Sequence, residues 1–384
     1  MKREEIIERV ARVQGLVDDL LDLDAVFSTR QSIVMRGTPR VPLADFQTAV
    51  RGRYAAAGYR CEIESAPGSG VPSKGHGQDA RATSDGDVSS SERDTSIARR
   101  VAAVPREVAD RVLVTVVVKE TEEKFPWLNI LLFVLTVASV WLSVGGLFAF
   151  WFLAILLFHE FGHFIAARRR RIDTSWPYFI PAPVFILPSL LGTFGAFIQL
   201  RSPIRDRRAL FDMAAAGPIA GFVVAVIALF VGLPQSTVVD HGTVSGLIFG
   251  ESLLFKGIAA IVMPTVGQNQ DVLLSPIAYA GWAGLLVTML NLMPIGQFDG
   301  GHIAYALFGK KQKQGAIVVM VGLAVLSYWW PGWLFLVAMG LFMRPKHPPT
   351  LIDEIPLGRK RRVLGWGSMA ILVVTFAPVP SSVP

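Results

Sequence analysis

The apolar residues of this chain follow two different patterns. Up to about residue 124 they recur at short intervals among charged residues. A helical face runs from Ile6 to Leu21, a second helix is expected over 43–57, and strand-like runs occupy Tyr59–Glu64 and Val112–Val118. Beyond residue 124 the apolar residues form long continuous runs. The first pattern predicts a small α+β soluble domain, and the second predicts helices that cross a membrane.

The continuous runs are long enough for about seven crossings. Residues 125–167 carry one formal charge, Glu160, and fit two crossings with a turn near Gly145–Gly146. The run 314–343 is either one kinked span or a hairpin that turns near Pro331. Residues 174–200 are apolar but interrupted by prolines, so a re-entrant loop or hairpin is expected there. Three further uncharged runs cover residues 213–239, 272–298 and 363–384.

The predicted fold class is therefore a polytopic α-helical membrane protein with about six to eight transmembrane helices. It includes a re-entrant loop or hairpin and a small N-terminal α+β soluble domain. We expect a head at residues 1–124 and a transmembrane domain at residues 125–384. Within the head, only seven of the 34 residues at 66–99 are apolar and none is aromatic, which predicts a disordered insert.

Charge divides at the same place as hydrophobicity. The first 125 residues hold 19 Lys+Arg and 20 Asp+Glu, whereas the remaining 259 hold 18 and 10, so the net charge of +7 arises in the apolar part. Basic clusters such as Arg168–Arg171 then indicate the cytoplasmic ends of helices and no nucleic-acid partner. This places the head in the cytoplasm. Because neither a signal peptide nor a transit peptide is evident, we expect an integral protein of a prokaryotic cell membrane.

One motif in the second crossing indicates chemistry. His159-Glu160-Phe161-Gly162-His163 places two imidazoles on one helix face, because residues i and i+4 are neighbours. Imidazoles are zinc ligands, and the intervening glutamate is positioned to take a proton from metal-bound water. Ionisable groups inside a membrane helix are costly, which favours a functional interpretation. The alternative is a polar patch that holds helices together.

A catalytic zinc site usually has three protein ligands, and the apolar part offers few acidic candidates for the third. Asp299 follows the uncharged run 272–298. His163 lies five residues before Arg168, about 7.5 Å at helical rise, and so lies near the cytoplasmic end of its helix. The span before Asp299 is expected to end on the same side, so His163 and Asp299 are expected at similar depth in the membrane. The alternative for Asp299 is a turn-forming Asp-Gly pair.

The two motifs together resemble a known family. His159–His163 (HEFGH) and Asn291–Gly300 (NLMPIGQFDG) are similar to the paired signature of the site-2 protease family of intramembrane zinc metalloproteases. Gly217–Gly221 and Gly192–Gln199 resemble the glycine-rich helix of that family and the re-entrant segment of its plastid, cyanobacterial and archaeal branch. The resemblance covers residues 126–305, approximately.

The resemblance implies a site and a reaction. His159, His163 and Asp299 would bind one Zn²⁺ per chain, Glu160 would act as general base, and Asn291 would assist the substrate or the oxyanion. For Asn291, contact between helices is an equal alternative. The expected substrate is a transmembrane helix of another protein in the lipid bilayer, which must unwind before cleavage. We expect Thr193–Gln199 to hold the unwound peptide by strand addition. The oligomeric state stays open.

Two other functions are alternatives to this one. A prenyl-protein-processing metalloprotease would need a further intramembrane glutamate ligand, and the sequence offers no suitable one. A transporter or scaffold that only binds metal would favour repeated, interrupted helices, whereas we find one irregular segment and no repeat.

Overall fold

The computed structural model describes residues 3–28, 32–65, 111–117, 125–182, 191–240, 248–263, 267, 270–343 and 345–382. The predicted disordered insert at 66–99 lies outside these residues. Contacts divide the chain into two compact units. One contains Met1–Glu123 with Glu354–Pro356, and the other contains Lys124–Asp353 with Leu357–Pro384.

The first unit is built on a four-stranded antiparallel sheet in the order β1-β2-β4-β3. Its elements are α1 (Arg3–Gln14), β1 (Leu21–Ser28), β2 (Ser32–Pro39), α2 (Leu43–Ala56), β3 (Arg60–Ser65) and β4 (Val112–Val117). Alternate residues such as Ile33, Met35 and Val114 are fully buried beside Phe46 and Tyr54 of α2. The N-terminal region is therefore α+β, as predicted.

One element of the first unit differs from its prediction. The apolar positions up to Leu21 suggested one helix, but α1 ends at Gln14 and Leu21 begins a strand. Val17 and Leu21 are both buried, at 0% and 1% exposure, so turn and strand residues continue the helical spacing into the same core. The strand itself follows the alternation Leu21-Asp22-Leu23-Asp24.

The second unit is mainly helical. Its helices are α3 (Trp127–Val144), α4 (Gly146–Arg169), α5 (Arg207–Gly232), α6 (Leu253–Val262), α7 (Pro276–Asn291), α8 (Asp299–Phe308), α9 (Gln312–Leu326), α10 (Gly332–Phe342) and α11 (Arg359–Thr375). Among the described residues, three helices are long and apolar enough to cross a membrane: α3, α4, and α5 with the short turn that extends it to Gln235. The count of six to eight spans stays a prediction.

Two turns in this unit fall where the sequence indicated them. Gly145 separates α3 from α4 with a φ of 117°, a conformation that glycine adopts readily. The run 314–343 forms two helices, α9 and α10, which are separated by residues 327–331. This arrangement is the hairpin alternative for that run.

The described parts of the segment 174–200 contain short strands and no helix. They are β5 (Tyr178–Pro181) and β6 (Thr193–Phe197), which pair antiparallel with Phe179 opposite Ala196. Four further short strands form two antiparallel pairs. β7 (Thr237–Asp240) pairs with β9 (Gln270–Leu273), and β8 (Ile248–Phe249) pairs with β10 (Ser381–Ser382).

The centre of this unit is formed by α4, α5 and α7. Small residues allow these helices to approach closely, as in many membrane proteins. A Cβ on Gly284 of α7 would lie 2.7 Å from the Cδ1 of Ile155 and 2.8 Å from the Cβ of Ala225. Near one end, Asp212 of α5 accepts hydrogen bonds from Arg361 at 2.7 and 2.9 Å and pairs with Arg170. These contacts fix the helices that carry the candidate site.

Candidate metal centre

The HExxH motif lies within α4, on the side that faces the protein interior. His159, Glu160 and His163 are 4%, 6% and 6% exposed, although Phe158 beside them is 55% exposed. The two imidazole Nε2 atoms are 3.1 Å apart. One turn of the helix therefore brings both rings to one buried point, as the sequence predicted.

Asp299 completes the group from a different helix. It is the first residue of α8, and its Oδ2 lies 3.3 Å from the Nε2 of His159 and 3.2 Å from that of His163. Within the described residues, these three form the one group of three or more potential ligands whose donor atoms lie close enough to hold a metal ion.

The geometry of the three donors fits zinc. Ligand atoms about 2.0 to 2.1 Å from one tetrahedral ion lie about 3.3 Å from each other. The three separations here are 3.1, 3.2 and 3.3 Å. Two imidazoles and one carboxylate are also ligand types that Zn²⁺ accepts, with one position left for water or substrate.

A backbone carbonyl fixes the orientation of His163. Its Nδ1 lies 2.8 Å from the carbonyl oxygen of Met213 in α5. Because a carbonyl only accepts hydrogen bonds, Nδ1 is the nitrogen that carries the proton, and the lone pair of Nε2 points to the donor group. Metal-bound histidines usually have such a partner on the other ring nitrogen.

Glycines of α5 make room for the two rings. A Cβ on Gly217 would lie 2.1 Å from the Nε2 of His163, and a Cβ on Gly221 would lie 3.1 Å from the Cβ of His159. From the other side, a Cβ on Gly162 would lie 2.6 Å from the carbonyl oxygen of Ala216. The glycine-rich run of α5 is therefore packed directly on the HExxH helix.

The start of α8 is held by a similarly close approach. A Cβ on Gly300 would lie 1.9 Å from the carbonyl oxygen of Leu292, and one on Gly301 would lie 2.4 Å from that of Gly296. Only a residue without a side chain fits at either position. The two glycines after Asp299 thus fix its backbone against the end of α7.

Asn291, the other predicted polar residue, lies at the edge of this group. It is the last residue of α7, and its Nδ2 lies 3.4 Å from the Nε2 of His159. The structure therefore brings all five predicted side chains, those of His159, Glu160, His163, Asn291 and Asp299, to the junction of α4, α7 and α8.

Sequence reasoning missed a cluster of side chains next to Asp299 on α8. The Nδ1 of His302 lies 2.5 Å from the Nε2 of His347, whose ring stacks on Tyr305 with centroids 4.4 Å apart. The Tyr305 hydroxyl donates to Asp353. His302 and His347 are 45 positions apart, and no ligand-type spacing marked either one. Asp299, His302 and Tyr305 recur every three residues, so one face of α8 joins this cluster to the donor group.

Comparison with known proteins gives the same picture. Residues 147–329 match the family described as Peptidase family M50. The matched region includes α4, α5, α7 and α8. The chain is 35% identical over 245 residues to "Probable zinc metalloprotease EGY1, chloroplastic" of Arabidopsis thaliana, which covers 60% of this chain and 42% of the relative.

Two further relatives carry similar names. "Probable zinc metalloprotease EGY2, chloroplastic" of Arabidopsis thaliana is 32% identical over 210 residues, covering 52% of this chain and 36% of the relative. "Probable zinc metalloprotease EGY3, chloroplastic" of Oryza sativa subsp. indica is 28% identical over 254 residues, covering 59% and 41%. The chain thus spans roughly two fifths of the length of the curated relatives it matches.

These names agree with the resemblance to the plastid-type branch of the site-2 protease family. They also agree with zinc as the metal that two histidines and an aspartate would hold. The matched region contains the complete donor group and the glycines packed against it. Residues 147–329 of this chain therefore match Peptidase family M50, in agreement with the site-2 protease signature that its sequence resembles.

Proposed function

We propose that this protein is an intramembrane zinc metalloprotease that hydrolyses a peptide bond in or near a transmembrane segment of another membrane protein. The observation that carries the proposal is the buried group of His159, His163 and Asp299, whose donor atoms lie 3.1 to 3.3 Å apart. It is supported by the helix that carries both histidines, which is long and apolar enough to cross a membrane.

The metal ligands in this proposal are His159, His163 and Asp299, and they hold one zinc ion per chain. When bound, zinc acts as a Lewis acid: it lowers the pKa of the water bound to it toward 7 and polarises the carbonyl group of the substrate. Glu160 adjoins His159 and is 6% exposed. Its carboxylate accepts the proton of the attacking water and then passes it to the leaving amine.

Asn291 acts on the substrate. Its Nδ2 lies 3.4 Å from the Nε2 of His159, so a substrate group that it contacts would lie beside the metal ligands. Its Nδ2 is a donor that can stabilise the negative charge on the substrate oxygen in the transition state. The same amide also joins α7 to α4, and this contact supports the alternative of a residue that only holds helices together.

The substrate segment binds as an extended strand. A helix in the membrane keeps its peptide groups in internal hydrogen bonds, so the segment must unwind before water attacks a carbonyl. In the described residues β6 pairs with one strand, β5, and forms an edge of a two-stranded sheet. Adding the unwound segment to β6 satisfies its backbone groups by strand addition.

The relatives named chloroplastic support a membrane of plastid type or of similar origin for this domain. A cytoplasmic N-terminal head stays a prediction from the distribution of Lys and Arg, and a prokaryotic cell membrane likewise stays a prediction. Labelling of Cys61, the single cysteine, with an impermeant thiol reagent in sealed, oriented vesicles would report the side on which the head lies. Labelling from the lumenal side alone contradicts the cytoplasmic head.

The decisive experiment compares Glu160→Gln with the unchanged chain, purified and reconstituted in lipid vesicles with a model transmembrane substrate. We expect Glu160→Gln to retain about one zinc per chain and to lose cleavage by about 10²- to 10⁴-fold, the range typical of a general base. Glu251→Gln is the matched control, because Glu251 pairs with Lys256 at 3.5 Å near α6 and is not part of the donor group. Equal cleavage by Glu160→Gln and the unchanged chain contradicts Glu160 as the general base, and no cleavage by either chain favours a metal-binding scaffold or transporter.

A further inference from the structure

The first helix of the second unit, α3, is mostly exposed but has one polar face. Large apolar side chains such as Trp127, Leu131 and Val134 are 72%, 54% and 57% exposed, as expected for contact with lipid. Asn129 and Ser139 are ten residues apart, which places them about 15 Å apart along the axis and within about 80° around it. Both therefore lie on the same side of the helix.

That side contacts the β5–β6 sheet through hydrogen bonds. The Nδ2 of Asn129 donates to the carbonyl oxygens of Trp176 and Pro177, each at 2.9 Å. The hydroxyl of Ser139 lies 2.6 Å from the carbonyl oxygen of Ala182 and 2.7 Å from that of Gly192. The four carbonyls precede β5, follow β5 and precede β6, so two side chains of α3 bind both ends of β5.

Close packing reinforces these hydrogen bonds. Gly192 has a φ of 71°, and a Cβ there would lie 2.6 Å from the Cα of Val140. Phe133 of α3 meets Phe179 of β5 edge to face, with ring centroids 5.0 Å apart. The sheet therefore rests on α3 through β5, while the side chains of Phe194 and Phe197 on β6 are 59% and 47% exposed.

The hydrogen bonds answer a physical need of backbone in an apolar environment. A strand that contacts a lipid-facing helix cannot rely on water for its carbonyl groups, and an unsatisfied carbonyl there destabilises the fold. Asn129 and Ser139 reach this backbone, whereas Thr136 of the same helix donates to the carbonyl of Leu132 within the helix. Because they satisfy carbonyls at the ends of β5, they fix the position of the whole sheet, including the edge of β6.

We propose that Asn129 and Ser139 are positioning residues for the substrate: they hold the β5–β6 sheet on α3 so that the edge of β6 receives the unwound segment. This inference rests on the proposed protease function and deepens it. The two residues act on substrate binding rather than on the metal ligands, which lie on α4 and α8. Losing them loosens the strand to which the substrate adds and leaves the zinc site intact.

The test uses the double variant Asn129→Leu with Ser139→Ala in the full chain, reconstituted with the model transmembrane substrate. Thr136→Val is the matched control, because the Thr136 hydroxyl is buried on the same helix but donates to Leu132 of that helix at 2.8 Å. We expect the double variant to keep about one zinc per chain and a kcat within threefold, with KM raised about tenfold. Thr136→Val should stay within twofold on both constants.

Hydrogen exchange of the backbone amides in 176–182 and 192–197 provides a readout that does not depend on cleavage. We expect faster exchange in the double variant than in Thr136→Val, with unchanged exchange in α4. An unaltered KM together with unaltered exchange overturns the inference, and so does loss of zinc in the double variant, which assigns the residues to the metal centre instead. If the unchanged chain itself cleaves nothing, the proposed function fails, whereas the exchange measurement still decides whether α3 holds the sheet.

Discussion

Gly217 provides the most direct test of the metal centre, because one added methyl group occupies the position of a ligand atom. In Gly217→Ala the Cβ would lie 2.1 Å from the Nε2, 2.4 Å from the Cδ2 and 2.5 Å from the Cε1 of His163. Non-bonded carbon and nitrogen atoms rest at roughly 3.5 Å. The ring or the helix must therefore move by more than 1 Å, roughly.

Neither movement leaves the donor group intact. The Nδ1 of His163 lies 2.8 Å from the carbonyl oxygen of Met213, and this hydrogen bond restricts rotation of the imidazole ring about its side-chain bonds. The contact strikes Nε2, the atom that faces Asp299 at 3.2 Å. Moving α5 away instead would break the packing of Gly162 on Ala216, where backbone meets backbone. A zinc ligand is displaced in either case.

We expect zinc affinity to fall by at least 100-fold in Gly217→Ala, beyond the 10- to 100-fold typical of losing a supporting hydrogen bond. Titration of purified protein with zinc in a competing chelator buffer measures this. Gly221→Ala should fall less, about tenfold, because its Cβ would lie 3.1 Å from the His159 Cβ, where small shifts suffice. Gly322→Ala is the control, since a Cβ there meets nothing within 4 Å. Unchanged zinc affinity in Gly217→Ala would refute the geometry.

Three further outcomes follow from the same site. In Asn291→Ala we expect cleavage to fall about 100-fold with zinc retained, as for loss of one oxyanion donor; a parallel loss of zinc and thermal stability would instead mean that Asn291 only joins helices. In His347→Ala we expect zinc affinity to fall about tenfold, because the contact with His302 that supports α8 is lost; Tyr305→Phe, which keeps the ring stacking, should stay within threefold. Removing zinc with a chelator should lower the Tm and abolish cleavage, and added zinc should restore both, since a ligand at 1,000 times its Kd contributes about 4.1 kcal/mol; a Tm that ignores zinc contradicts a bound metal.

How much of this site the sequence predicts depends on how local each contact is. His159 and His163 are four residues apart on a helix, and helical geometry alone brings them together. Asp299 is more than 130 positions away, and only its motif within an otherwise uncharged stretch marked it. The contact between His302 and His347 crosses 45 positions without any motif, so sequence reasoning did not pair the two histidines.

The fold shows the same limit. Long apolar runs predicted α3, α4 and α5, because a helix of that length and composition has few alternatives. The prediction of one helical face from Ile6 to Leu21 was wrong, because buried residues from a helix, a turn and the first residue of β1 continued one periodicity. Periodicity records which positions are buried, and it identifies the element only where a single element supplies all of them.

The contacts that are hardest to predict here share one chemical feature, which is that the acceptor is a backbone carbonyl. His163 donates to Met213 and Asn129 to Trp176 and Pro177, while the Ser139 hydroxyl lies between the carbonyls of Ala182 and Gly192 at one end of the β5–β6 sheet. Every residue has a carbonyl, so the identity of the acceptor leaves no trace in the sequence, whereas the donor side chain does. On α3, the donors whose acceptors lie outside the helix thus indicate the irregular backbone packed against it. The carbonyl of Met213 likewise fixes which nitrogen of His163 carries the proton, and the carbonyls bound by α3 fix the sheet whose outer strand, β6, we propose binds the substrate.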